Sequence, residues 1–426
     1  MESNLFQSLI LYTPGEGRPL QVFDACYRAC MAGTANEETR KVLHQACYQV
    51  FTLARQAGFW GNIWQCLLTY HLLNNENPYS LSCEGKGLVT GSLARLARGD
   101  LEKILQLFSF DFSPFQTILS DNIIQEILHF EGTGEVNPVG ALVGDVTRKL
   151  NQARQPQQAL EILSDFYRNH GVGKLAFYRA FHLDERGNPL PVKGVKEFSL
   201  QDLVGYEPQK EQLVANTQAL LTGKPSNNVL LYGDAGTGKS TCVRSLLTDF
   251  AGSPLRLVEL STAQLEHLTS LMATLRERNY KFIVFIDDLS FEEHETGYKH
   301  LKAVIEGGLE TMPDNVRVYA TSNRRHLIKE TWKDKSDMEH DGDIHRSDTV
   351  EEKLSLAARF GVAIHFPSPA RQEYYNIVKT LAAQQLPYPM DEETLLHEAD
   401  RWEIRHGGIS GRAAQQFIDY LAGKEE

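Results

Sequence analysis

Cysteine is scarce in this chain, six among 426 residues, which is too few for a disulfide scaffold and fits a reducing compartment. Long apolar runs are missing too: nothing approaches the 18 residues of a membrane span, and the opening Met1-Glu2-Ser3-Asn4 lacks a basic leader segment, so a cytoplasmic protein with no membrane association is expected. Positive charge is in deficit, with 43 Lys and Arg against 55 Asp and Glu and a formal net charge of -12. That balance disfavours strong nonspecific attraction to nucleic acid or anionic lipid and leaves room only for a local basic groove. What the chain does have is 42% hydrophobic residues and length for two or three domains of about 150 residues each.

Up to about residue 170 apolar side chains recur at helical intervals between Gly, Pro and Asn breaks. Leu43, Cys47, Val50 and Ala54 line one such face; Leu101, Ile104, Leu105 and Phe108 line another, behind Asp100 as an expected helix cap. From Leu175 to about Val192 the pattern shortens around a turn at Asp184-Glu185-Arg186-Gly187-Asn188, which predicts a small hairpin. After Phe198, short β-rich runs alternate with amphipathic segments of helix length, the pattern of a parallel sheet covered on both faces. The runs are Asn228 to Tyr232, Leu255 to Leu260, Phe282 to Ile286, Val316 to Thr321 and Val362 to Phe366. Pro367 and Pro369 then introduce a helical tail, expected to form a lid. The stretch from Lys329 to Glu352, rich in charge and poor in apolar residues, predicts a mobile surface loop. The expected division is a mainly helical domain at 1–174, a hairpin or linker at 175–198, an α/β subdomain at 199–367 and a small helical lid at 368–426.

Gly233-Asp234-Ala235-Gly236-Thr237-Gly238-Lys239-Ser240 follows the first of these strands and matches the P-loop pattern in full. Glycines let the backbone curl so that its N–H groups face phosphate oxygens, and the helix that follows adds its partial positive charge. Lys239 is expected at the β and γ phosphates of a nucleotide, the Ser240 hydroxyl on magnesium, and Thr241 beside it. A chance match in a chain of this length is expected at a rate of about 2%. Lys281-Phe282-Ile283-Val284-Phe285-Ile286-Asp287-Asp288 is a buried-strand run ending in two carboxylates, as a Walker B element requires. Asp287 is expected to hold the magnesium and Asp288 to polarise the attacking water. The strand Val316 to Thr321 ends in Ser322-Asn323-Arg324-Arg325, where an amide at a strand tip suits the γ-phosphate or the lytic water, although Asn is also an ordinary turn residue.

The series of P-loop, Walker B, strand-tip Asn, an Arg before a fifth strand and Gly411-Arg412 in a helical tail resembles the AAA+ ATPases over residues 199 to 426. Within them, Asp202-Leu203-Val204-Gly205-Tyr206-Glu207, Asn227 to Gly233, Asp287 to Glu292 and Ala320 to Leu327 resemble the bacterial domain of unknown function 815 family. The resemblance implies an α/β fold with a parallel five-stranded sheet of order 5-1-4-3-2 and a small helical lid. It also implies ATP and Mg2+ as ligands and a homo-oligomer with nucleotide at subunit boundaries. By the same resemblance Asn323 is sensor 1, Arg359 the arginine finger for a neighbouring subunit, Arg412 sensor 2, and Leu203, Val204, Gly205 and Tyr206 the segment against adenine. Arg324 and Arg325 compete for the finger role. AAA+ proteins usually carry Asp-Glu in Walker B, where this chain has Asp287-Asp288, a base one methylene shorter. The functions this leaves are an ATPase driving assembly or remodelling of a macromolecular partner, a nucleotide-gated switch with little turnover, and a DNA-associated loader, the last disfavoured by the acidic charge.

Five cysteines, Cys26, Cys30, Cys47, Cys66 and Cys83, fall in the N-terminal part. No Cys-x-x-Cys or paired His accompanies them, so packing rather than metal binding is expected. His340 and His345 are expected in solvent, and Trp60, Trp64 and Tyr70, at helical spacing, in a core.

Overall fold

The computed structural model describes residues 9–15, 18–132, 137–291, 297–306, 312–323, 356, 358–388, 390–406 and 408–424. The expected loop from Lys329 to Glu352, with Arg324, Arg325, His340 and His345, lies outside them. The chain divides into two compact units, Met1–Phe177 and Tyr178–Glu426.

The first unit is helical: α1 Pro19–Met31, α2 Glu37–Ala57, α3 Ile63–Asn74, α4 Pro78–Cys83, α5 Ser92–Leu107, α6 Asp121–Leu128, α7 Pro138–Gln152, α8 Pro156–His170 and α9 Lys174–Phe177. Helix α2 starts at an Asn36 capping box and stops at Gly58, whose φ of 71° an L side chain rarely adopts. Its Leu43, Cys47, Val50 and Ala54 are all buried, as their spacing predicts. Trp64 is buried among Phe23, Phe110 and Phe112 at centroid distances of 5.3 to 5.4 Å, and its indole donates to the Leu107 carbonyl at 2.8 Å.

Two expectations are corrected here. Asp100 is no helix cap: it sits inside α5, 1% exposed, and its carboxylate accepts the backbone N–H groups of Ile10, Leu11 and Tyr12 at 2.7 to 3.1 Å. A buried acidic group persists when it is hydrogen-bonded, and these three donors supply that. Trp60 is not core but 69% exposed, because Asn62 caps α3 and Ile63 begins it, leaving Trp60 before the helix rather than one turn along it. Cys26, Cys47, Cys66 and Cys83 are buried and Cys30 is partly so. Burial pushes the thiols of Cys26 and Cys66 up to about 11 and that of Cys47 to about 12, which leaves them inert small hydrophobes at neutral pH.

The second unit opens with a hairpin, β1 Ala180–Leu183 and β2 Pro189–Pro191, closed where the Asp184 side chain accepts from the N–H groups of Arg186 (2.9 Å) and Asn188 (2.8 Å). The alternating elements follow: α10 Glu207–Leu221, β3 Val229–Gly233, α11 Lys239–Asp249, β4 Leu255–Leu260, α12 Leu268–Arg276, β5 Lys281–Ile286, α13 Gly297–Glu306, β6 Val316–Ser322 and β7 Val362–Phe366. Three helices close the unit, α14 Arg371–Gln385, α15 Glu392–Arg405 and α16 Gly411–Ala422.

The sheet has seven strands in the order β2-β1-β4-β5-β6-β3-β7, all pairings parallel except the β1–β2 hairpin, and this corrects the expectation of five. The five strands named from sequence occupy the consecutive places β4-β5-β6-β3-β7. The hairpin extends that array because β1 pairs in parallel with β4, Ala180 opposite Leu257. Strand β5 carries Phe282, Ile283, Val284, Phe285 and Ile286 without exposure, as a strand covered on both faces must. Two apolar clusters result. One packs α10 and α11 on the sheet through Leu213, Leu220, Val243 and Leu246; the other joins α14, α15 and α16 through Tyr374, Val378, Ala399, Phe417 and Ile418.

Candidate functional site

The site forms where β3, β5 and β6 end beside the start of α11. Between Gly233 and Lys239 the chain turns through three glycines in the left-handed region, Gly233 at φ 135°, Gly236 at 76° and Gly238 at 90°. At Gly233 space also demands glycine, since a Cβ would stand 2.1 Å from the Phe366 carbonyl oxygen; at Gly238 it would meet only the end of the Leu203 side chain, at 2.8 Å. Thr237, buried, donates its hydroxyl to the Asp234 carbonyl at 2.9 Å and fixes the curl from inside. Ala235 lies at its exposed tip. Thr241 is half-buried in the first turn of α11, and its carbonyl accepts the Ser245 hydroxyl at 2.8 Å.

Lys239 is 6% exposed, and its ammonium donates to the carbonyls of Gly233 (2.9 Å) and Asp234 (2.6 Å) and to Oδ1 of Asn323 (3.1 Å). Burial lowers its pKa against the pull of Asp234, Asp288 and Asp287, and the Arg412 guanidinium lowers it further. Asn323 in turn donates from Nδ2 to Asp288 Oδ1 at 2.8 Å, so its amide bridges the ammonium and the second carboxylate. Asp288 holds a φ of 52°, at a cost on the order of 1 kcal/mol. That conformation is fixed on both sides: its N–H donates to Thr321 Oγ1 at 2.9 Å, and the next N–H, of Leu289, to the Thr321 carbonyl at 2.6 Å.

Asp287 is bonded at both of its carboxylate oxygens. Its Oδ1 accepts the hydroxyls of Ser240 at 2.5 Å and Thr321 at 2.6 Å, and its Oδ2 accepts Nη2 of Arg244 at 2.8 Å. Burial pushes this carboxyl up, but the two hydroxyls and the guanidinium outweigh burial and hold it below the usual carboxylate range. A hydroxyl and an ionised carboxylate in contact form the hard oxygen set that magnesium prefers.

Leu203 and Tyr206 pack against the sheet cluster while Val204 packs against the cluster of the last three helices, so the segment bridges sheet and lid. Gly205, at φ 83°, has nothing within 4 Å of where a Cβ would stand, which leaves room beside it. The Tyr206 hydroxyl donates to the Pro367 carbonyl at 2.8 Å; burial, with Glu373 nearby, pushes it up to about 12. From the lid, the Arg412 N–H donates to the Gly236 carbonyl at 3.1 Å, and Ser410 caps its helix by accepting the Ala413 N–H at 3.1 Å. Asp234 reaches the hinge between β7 and α14, accepting the N–H (2.9 Å) and hydroxyl (2.8 Å) of Ser368, which hold it below the usual carboxylate range.

The P-loop, Asp287, Asp288, Asn323 and Arg412 thus meet. Arg359 is placed instead by an ion pair with Glu306 at the end of α13. Sequence reasoning missed Thr321, Arg244 and Ser368 as contributors, since each acts on a residue 33 to 134 positions away.

Fold and site together define a P-loop protein of the AAA+ class. The chain belongs to the family described as protein of unknown function (DUF815), whose model matches residues 175–425. Among solved structures, a variant of Thermotoga maritima RuvB is 17% identical with a TM-score of 0.37; the match covers 53% of this chain and 65% of that one. The FIGL-1 AAA domain in complex with ADP is 18% identical with a TM-score of 0.36, covering 54% and 74%. Likenesses this slight say nothing of activity. No curated relative matches the chain. Among the described residues no helix is long and apolar enough to cross a membrane.

Proposed function

We propose that residues 199–426 bind MgATP and hydrolyse it, and that the 1–174 domain recognises the macromolecular partner whose assembly or remodelling this drives. The observation that carries the reading is the convergence on one glycine loop of a buried ammonium, a hydroxyl–carboxylate pair and a bridging amide. Each has a task in phosphoryl transfer. Lys239 exchanges its two loop carbonyls for β and γ phosphate oxygens. Ser240 and Asp287 hold Mg2+, which when bound neutralises charge on those oxygens. Asp288 orients the attacking water, and Asn323 keeps that carboxylate within reach of the γ-phosphate. Val204, Gly205 and Tyr206 take the adenine beside the lid, and Arg412 carries lid position to the phosphates. Arg359 acts on the site of a neighbouring copy, which makes the active form an oligomer.

A switch with little turnover is the second reading, and one contact favours it: the Asp288 carboxylate is tied to Asn323 at 2.8 Å, so water activation requires that bond to open or share. Asp288→Asn separates the two. It keeps the side-chain volume and removes the charge that orients water, so binding of a non-hydrolysable ATP analogue stays within a few fold of wild type while phosphate release falls about 10²-fold or more. Equal loss of both would place Asp288 in binding rather than hydrolysis; wild-type release already at the Lys239→Ala background, with binding kept, would support the switch, and release well above it that Asp288→Asn leaves unchanged would take Asp288 out of hydrolysis.

A further inference from the structure

We propose that Arg244 is a positioning residue for the magnesium site, fixing Asp287 so that the oxygen it shares with Ser240 is the one offered to the metal; this rests on the MgATP reading above. Arg244 lies on α11 five residues beyond Lys239. Its guanidinium donates to Asp287 Oδ2 at 2.8 Å and, across the end of β4, to Glu259 Oε1 at 2.8 Å and Oε2 at 3.4 Å, and it lies 5.3 Å from the centroid of the Phe285 ring. Asp287 is therefore held at both oxygens: Ser240 and Thr321 take Oδ1, and Arg244 takes Oδ2. A carboxylate so fixed cannot rotate to chelate or turn away, and the metal meets a single preset edge.

The sign of the effect follows from Glu259. A lone guanidinium beside a magnesium ligand would repel the metal, and its removal would tighten metal binding. Here Glu259 pairs the same guanidinium, so the Arg244–Glu259 couple brings no net charge and orientation decides. Arginine suits the task because its planar fork bonds two carboxylates at once, which the single ammonium of lysine does less well.

The test is calorimetric binding of a non-hydrolysable ATP analogue to the full chain across a Mg2+ series and in EDTA. Wild type gains affinity with Mg2+. In Arg244→Gln the Mg2+ needed for half that gain rises about 10- to 100-fold, the range for loss of a group that orients a metal ligand, while affinity in EDTA is unchanged. Arg244→Lys falls between the two. Glu259→Gln, which leaves the guanidinium uncompensated, also raises the Mg2+ requirement. An unchanged Mg2+ profile in Arg244→Gln overturns the proposal, as does tighter Mg2+ dependence, which would make Arg244 a competitor of the metal. A loss as large in EDTA as in Mg2+ overturns it in favour of a purely structural contact. Wild type that binds no nucleotide under any condition, or binds it without regard to Mg2+, contradicts the underlying reading instead.

Discussion

Arg359→Ala lowers ATP turnover by about 10³-fold or more, the range for a cation that meets charge developing on a transferred phosphoryl group, and leaves ATP binding by the same chain nearly intact. The split is expected if, as proposed, Arg359 serves a neighbour's nucleotide while its own P-loop is untouched. Global unfolding does not account for such a loss: the Arg359–Glu306 pair is partly exposed and contributes at most about 1 kcal/mol. Mixing Arg359→Ala with Lys239→Ala protein restores part of the activity, since some boundaries then join an intact P-loop to an intact Arg359. Arg324→Ala and Arg325→Ala are the comparison. If only they lose activity and complement, the finger lies there; if no pair complements and Arg359→Ala keeps full turnover, Arg359 has no part in hydrolysis.

Lys239→Ala abolishes nucleotide stabilisation. At hundredfold excess over its dissociation constant, MgATP adds about 2.7 kcal/mol to the native state when the unfolded chain does not bind. For a domain of 150–250 residues that raises the melting midpoint by roughly 5 to 10 °C. In Lys239→Ala the ammonium that would meet the phosphates is gone, and so is the cation now bonded to the carbonyls of Gly233 and Asp234 and to Asn323. The unliganded midpoint moves less than the lost ligand shift, because removing a buried charge offsets part of the three lost hydrogen bonds. A shift equal to wild type would take the P-loop out of the account.

The parts of this site legible in the sequence are those that local chemistry dictates. Gly236 and Gly238 are needed where the loop goes left-handed, Lys239 and Ser240 are fixed by their place at the start of α11, and Asp287 and Asp288 end an uninterrupted apolar strand. Two of the five expected strands coincide with β4 and β7, and the other three lie within one residue of β3, β5 and β6 at each end, because each apolar run has clear polar bounds. What escaped was long-range. The Asp184 turn announced a hairpin, but nothing in its spacing told that β1 would add to β4 across 77 residues and widen the sheet to seven strands. Asp100 before an apolar face reads as a helix cap until Ile10, Leu11 and Tyr12 arrive from elsewhere in the chain to satisfy the carboxylate. Trp60 shares helical spacing with Trp64, yet Gly61 at φ 73° and the Asn62 cap keep it outside α3, which begins only at Ile63. Thr321 and Arg244 look ordinary on a strand tip and a helix face, and only the folded arrangement aims both at Asp287.

The central claim is that this chain hydrolyses ATP at the Lys239 site, and steady-state phosphate release at saturating MgATP, wild type beside Lys239→Ala, tests it most directly. The account predicts release by the wild type, proportional to enzyme at concentrations where copies associate, with Lys239→Ala at the buffer background. Wild type indistinguishable from Lys239→Ala, in a preparation that binds MgATP and with candidate partners supplied, would contradict it.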